Sequence, residues 1–210
     1  MRSLGGVRST NHYKVMGTVS PASRFAGAVD MNSDGNPDLI WSNDSTGDHS
    51  VWFMNGSTNT SSAALLNLGP SWMLATLADF NGDAKPDMVW EQSGSGLRAI
   101  TFMNGAAYAG QNTVFAAVDT SWHIAAAADI GADGNNDLIW QNSIDGSRVI
   151  TFMTGAVWSG QYAAFAKVQP SENIVSAAPI QWVPHTVCVA IRGTPSRSKY
   201  DPGRAVCIAP

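Results

Sequence analysis

The chain repeats itself, and that periodicity restricts its fold more than any other property of the sequence. Three acidic segments align without gaps: Asp30-Met-Asn-Ser-Asp-Gly-Asn-Pro-Asp-Leu-Ile-Trp41, Asp79-Phe-Asn-Gly-Asp-Ala-Lys-Pro-Asp-Met-Val-Trp90 and Asp129-Ile-Gly-Ala-Asp-Gly-Asn-Asn-Asp-Leu-Ile-Trp140. Their first aspartates lie 49 and 50 residues apart. Phe53-Met54-Asn55-Gly56, Phe102-Met103-Asn104-Gly105 and Phe152-Met153-Thr154-Gly155 recur at the same two intervals. Ser71-Trp72 and Ser121-Trp122 mark the approach to the second and third segments. A chain built this way folds as an array of equivalent units.

Within a unit the pattern predicts strands. Residues 122–128 form an apolar run of strand length that enters the acidic loop. Residues 137–140 form a second strand and the β-branched, aromatic stretch 148–153 a third; Gly155 then marks a turn, and 161–168 can form a fourth. The alanines at 125–128 are compatible with helix on propensity alone, but the run is short and exits into a Gly/Asp loop. Four strands in about 50 residues is the arithmetic of a β-propeller blade, whereas helical repeats of that length need long 3.6-residue periodicity. Composition agrees: 13% charged residues, 20 Gly and eight Trp among 210 residues suit a turn-rich β-protein, and 44% hydrophobic residues are enough for a packed core.

The expected fold is therefore all-β, with four-stranded antiparallel blades. The expected boundaries are an N-terminal segment 1–20, blades at 21–70, 71–120 and 121–170, and a degenerate fourth repeat or atypical tail at 171–210. That last unit starts in register, since residues 171–178 align with 121–128, yet Pro179-Ile-Gln-Trp-Val-Pro-His185 replaces the acidic loop. Prolines at 179, 184, 195, 202 and 210 argue against a regular fourth blade. Three blades fall short of the roughly four to eight that close a ring. An incomplete propeller that self-associates through open blade edges is the expectation, and a compact ring closed by residues 1–20 and the tail is the alternative.

Nine of the sixteen acidic residues sit in the three loops. Carboxylates this close repel one another unless a cation neutralises them, and Ca²⁺ prefers hard oxygen ligands. The expected ligands are Asp30, Asn32, Asp34, Asn36 and Asp38 in loop one. Loop two offers Asn81 with Asp79, Asp83, Lys85 and Asp87; loop three offers Asp129, Asp133, Asn135 and Asp137. Asn36, Lys85 and Asn135, at position 7, contribute through the backbone carbonyl. Gly35 and Gly134 at position 6 supply a sharp turn; Ala84 stands there in loop two, where it strains the turn. Gly131 removes one side-chain ligand from loop three, so a water must substitute. An EF-hand is excluded, because position 12 is Trp where that loop needs Glu and no helices flank it. Asp, Asn and Gly are also ordinary turn formers, but three loops that keep Asp at positions 1, 5 and 9 favour a cation.

These motifs resemble the FG-GAP/VCBS repeats of bacterial secreted and surface proteins, which are similar to the calcium-binding blades of the integrin α-subunit propeller. The resemblance covers about residues 20–170. It implies a β-propeller with Ca²⁺ in the strand-connecting loops, and binding or adhesion more often than catalysis.

Other chemistries leave no comparable trace. The net charge of −4 argues against nucleic acid as a partner, and no apolar stretch approaches the roughly 18 residues of a membrane span. His12, His49, His123 and His185 share no zinc-type spacing, and there is no Gly-x-Ser-x-Gly elbow. Trp41, Trp90 and Trp140 read as blade-to-blade core, Trp72 and Trp122 as rim residues, and Trp52 and Trp158 as exposed. The expected partner is a protein or a carbohydrate at the cell surface or outside the cell; a lectin or part of a secreted hydrolase is the alternative. Residues 1–18 carry no apolar block of signal-peptide length. Cys188 and Cys207 could pair or stay as thiols, and two cysteines alone decide neither.

Overall fold

The computed structural model describes residues 17–165 and 167, except the side chain of Gln111, and the backbone of 173–179, 187–192 and 205–208. The described residues contain strands and no helix. Blade 1 comprises β1 (Arg24–Val29), β2 (Asp38–Asn43), β3 (Asp48–Asn55) and β4 (Thr58–Ala64). Blade 2 comprises β5 (Trp72–Ala78), β6 (Asp87–Gln92), β7 (Arg98–Asn104) and β8 (Ala107–Phe115). Blade 3 comprises β9 (Trp122–Ala128), β10 (Asp137–Asn142), β11 (Arg148–Thr154) and β12 (Val157–Ala164). Each is an antiparallel meander in sequential order, and none closes into a barrel. A fourth sheet has three strands: β13 (Asn173–Pro179), β14 (Val187–Arg192) and β15 (Ala205–Ile208).

The first strands of successive sheets are neighbours, β1 beside β5, β5 beside β9 and β9 beside β13. Each meander therefore starts innermost and ends outermost, which is propeller geometry in an incomplete array. Side chains between blades fill the gaps. Ile40, Val51 and Leu65 of blade 1 meet Leu74, Met88 and Trp90 of blade 2 in one cluster. Val89 and Ile100 of blade 2 meet Ile124, Leu138 and Trp140 of blade 3 in the next. Burial along the second strands records which blades are covered on both faces. β6 and β10 are buried almost throughout, whereas β2 alternates buried and half-buried, as a sheet with one covered face does.

The strands expected at 122–128, 137–140 and 148–153 are β9, β10 and β11. The fourth needs correction, for β12 runs Val157–Ala164, four residues earlier than expected. The cause is the tightness of the turn. Thr154 pairs with Val157, so Gly155 and Ala156 alone reverse the chain, with Gly155 at φ 57°. A glycine with positive φ at the first central position suits a two-residue hairpin. Gly160 is absorbed in a bulge between the Met153↔Trp158 and Thr151↔Tyr162 pairs.

Candidate functional site: the three acidic loops

All three loops join the first strand of a blade to its second, and all three share a backbone conformation. Position 6 is left-handed in each: Gly35 at φ 86°, Ala84 at 63° and Gly134 at 86°. Position 4 is left-handed as well, in Ser33 (61°), Gly82 (77°) and Ala132 (54°). The requirement at position 6 is legible from its glycines. The one at position 4 is not, because only loop two has glycine there.

The aspartates hold this conformation by accepting backbone N–H groups. At position 1, Asp30 accepts from Asp34 (3.1 Å) and Gly35 (2.8 Å), and Asp129 accepts from Asp133 (3.1 Å) and Gly134 (3.0 Å). Asp79 accepts from Asn81, Gly82 and Ala84. At position 5, Asp34, Asp83 and Asp133 accept from the amides of Asn36, Lys85 and Asn135 at 2.8–2.9 Å. That amide, with the side-chain amides of Asn32 and Asn36, holds the exposed Asp34 carboxyl below the usual carboxylate range.

Position 9 differs in kind. Asp38, Asp87 and Asp137 are buried, and each ties the start of its loop to the end of the third strand. Asp38 accepts from Met31 (3.0 Å) and Met54 (2.8 Å), and Asp87 from Phe80 (2.8 Å) and Met103 (3.0 Å). Asp137 accepts from Ile130, Gly131 and Met153 at 2.9–3.0 Å. Burial pushes the Asp87 and Asp137 carboxyls up, against these amides, which pull them down. The recurring Phe-Met-Asn/Thr-Gly motif thus supplies the methionine amide that the ninth residue requires.

As a cation site, the donor set fits and its arrangement is partial. The donors are all oxygen, suited to a hard ion, and the position 1 and 5 carboxylates share one loop. Among the described residues, however, no three carboxylate, imidazole or thiolate groups converge, since position 9 is committed to amides beneath the loop. Asn32 donates to Asp34 (3.1 Å), Asn81 to Asp83 (3.3 Å), and the Lys85 ammonium to Asn104 Oδ1 (2.7 Å). Asn135 Oδ1 accepts from the Gly155 amide at 3.0 Å.

Sequence reasoning also missed a second repeated set, at the blade joints. His49, Arg98 and Arg148 are spaced 49 and 50 residues apart, near the start of each third strand, and all three are buried. The His49 ring meets Trp90 edge-on, with centroids 5.0 Å apart, and Arg98 lies 5.8 Å from the Trp140 ring centre. Arg98 also donates to the Trp122 carbonyl and lies 3.5 Å from Glu91. Glu91 accepts from the Ile124 amide and faces His123 Nδ1 at 3.0 Å. Their regular spacing was the available signal.

The tryptophans divide accordingly. Trp90 and Trp140 are buried at joints, each donating to a threonine of its own blade, Thr101 or Thr151, at 2.9 Å. Trp41 is only half-buried, and Trp52 occupies the position of those threonines. Trp158 is exposed, as expected; Trp72 and Trp122, expected before the first strand, are its first residues and half-buried. Trp72, Tyr108 and Asn112 line a cleft of about 230 Å³ on blade 2.

Residues 30–90 match a family model, that of an FG-GAP-like repeat. The match starts at the first residue of loop one and ends at Trp90, so it spans two of the three acidic loops. Residues 30–90 are thus an FG-GAP-like repeat segment. No curated protein matches it.

Proposed function

We propose that this chain is a non-catalytic, calcium-binding propeller-type module that recognises a protein or glycan ligand at the cell surface or outside the cell. The observation that carries the reading is the shared left-handed backbone at positions 4 and 6 in three separate loops. It supports the reading because the position 1 and position 5 carboxylates then share one loop on each blade. In loop one Ca²⁺ would be held by Asp30, Asn32, Asp34 and the Asn36 carbonyl, with Asp38 behind them. Loop two would use Asp79, Asn81, Asp83, the Lys85 carbonyl and Asp87, and loop three Asp129, Asp133, the Asn135 carbonyl and Asp137. The ion supplies charge neutralisation and loop rigidity. The Trp72–Tyr108 cleft, which no charged side chain lines, is the candidate glycan surface.

Affinity should fall in the range of extracellular modules, roughly 10⁻⁴–10⁻³ M, strongest at loop one and weakest at loop three. Titration calorimetry on the full chain tests this: Ca²⁺ should give a saturable heat that Mg²⁺ does not reproduce and that Asp34→Ala diminishes. Absence of any heat at millimolar Ca²⁺, or an unchanged titration in Asp34→Ala, sinks the calcium reading. A glycan array and a pull-down in millimolar Ca²⁺ address the ligand.

A further inference from the structure

The backbone brings the chain's only two cysteines to one register position. β14 and β15 run antiparallel, pairing Val187 with Ile208, Cys188 with Cys207, Val189 with Val206 and Ala190 with Ala205. Directly opposed residues of such a pair have Cα atoms about 4.5 or 5.5 Å apart, according to their hydrogen-bonding class. A disulfide spans Cα separations of about 4.4–6.8 Å, so either class satisfies it. With no third cysteine in the sequence, no internal competitor exists.

We propose that Cys188 and Cys207 form a cross-strand disulfide that fastens β15 to β14. The oxidant is a disulfide donor of the glutathione class. One cysteine thiolate attacks a sulfur of the donor, forming a mixed disulfide and releasing one glutathione thiolate. The second cysteine thiolate then attacks the protein-bound sulfur, forming the Cys188–Cys207 bond and releasing the second. The two cysteine thiols lose two electrons to the donor, and their two protons pass to the released thiolates. The staple has a structural use. β15 has four residues and follows a twelve-residue connection, 193–204, so a covalent link to β14 would fix its register in the sheet whose first strand lies beside β9. Closing that loop covalently restricts the unfolded chain.

Trypsin makes the test direct. Cleavage after Lys167, Arg192 and Arg204 leaves Cys188 in peptide 168–192 and Cys207 in peptide 205–210, which only a disulfide can join. The full chain, refolded with reduced and oxidised glutathione and purified without reductant, should give that linked mass and lose it on reduction. Unfolded but unreduced, it should take up no maleimide; after reduction it should take two. Cys207→Ser should take one without reduction and lose the linked peptide. A monomer that accepts two maleimides before reduction, or linkage only between two copies of the chain, overturns the proposal.

Discussion

Nine aspartates that look equivalent in the repeat differ by depth: position 5 is exposed, position 1 half-buried and position 9 buried. This ordering separates fold from ion binding. Asp87→Ala leaves the buried amides of Phe80 and Met103 without an acceptor and should cost about 2–4 kcal/mol even in chelator. Asp83→Ala should cost less than about 1 kcal/mol in chelator and lose the stabilisation that Ca²⁺ adds by binding the native state. Denaturant melts of both variants under both conditions check this, and equal losses in chelator would dissolve the distinction. At position 6, Ala84 pays for a left-handed backbone that glycine adopts freely. Ala84→Gly should therefore raise stability by about 1 kcal/mol, despite the entropy glycine adds to the unfolded chain. An unchanged or lowered midpoint refutes that. The strain at Ala84 is legible in sequence because loops one and three have glycine there. The task of position 9 is not, because its second donor arrives 16 residues later, from the third strand.

Strands follow from local pattern, and β9, β10 and β11 begin where apolar periodicity places them. What pattern does not show is how one element grips the next, since the gripping residues are polar and buried. The joint between blades 2 and 3 sets Arg98 and the His123 ring against Glu91, whereas the joint between blades 1 and 2 has His49 in place of arginine. Burial pushes the His49 imidazole down to about 4. Desolvation is the largest cause and Arg24 adds to it, and together they outweigh Asp44 and Asp48, which favour the proton. A histidine depressed in the native state takes up its proton more readily in the unfolded one, whose value is about 6.5. The joint is thus undisturbed above pH 6.5 and weakens as pH falls from there towards 4. The loss by pH 4.5 is on the order of 2 kcal/mol. His49→Leu should flatten this part of the stability profile, with Asp87 and Asp137 untouched. Thermal melts between pH 7 and 4.5 check it, and parallel profiles for the two proteins contradict it.

At the scale of the molecule the array is uneven at its two ends. The second strand of blade 3 is buried along its whole length, with the fourth sheet's first strand packed beside β9. The outward face of blade 1 is different. Phe25 is 54% exposed and meets Trp41 edge-on at 5.9 Å, and Trp41 meets Trp52 at 5.3 Å. The Trp41 indole N–H is buried without an acceptor, because Trp52 stands where blades 2 and 3 have a threonine. An aromatic face with partial exposure drives association, and the surface of matching chemistry is the same face on a second copy. Light scattering across a concentration series should therefore show reversible self-association of the full chain. Trp52→Thr should weaken it in two ways. It removes apolar area, and it supplies the hydroxyl that Thr101 and Thr151 give to the equivalent tryptophans, so stability should hold while association falls. Phe25→Ser should weaken association without that compensation. If the full chain is a compact monomer at every concentration, the aromatic face is not an interface between copies. If Trp52→Thr and Phe25→Ser associate as the parent does, another surface carries the contact.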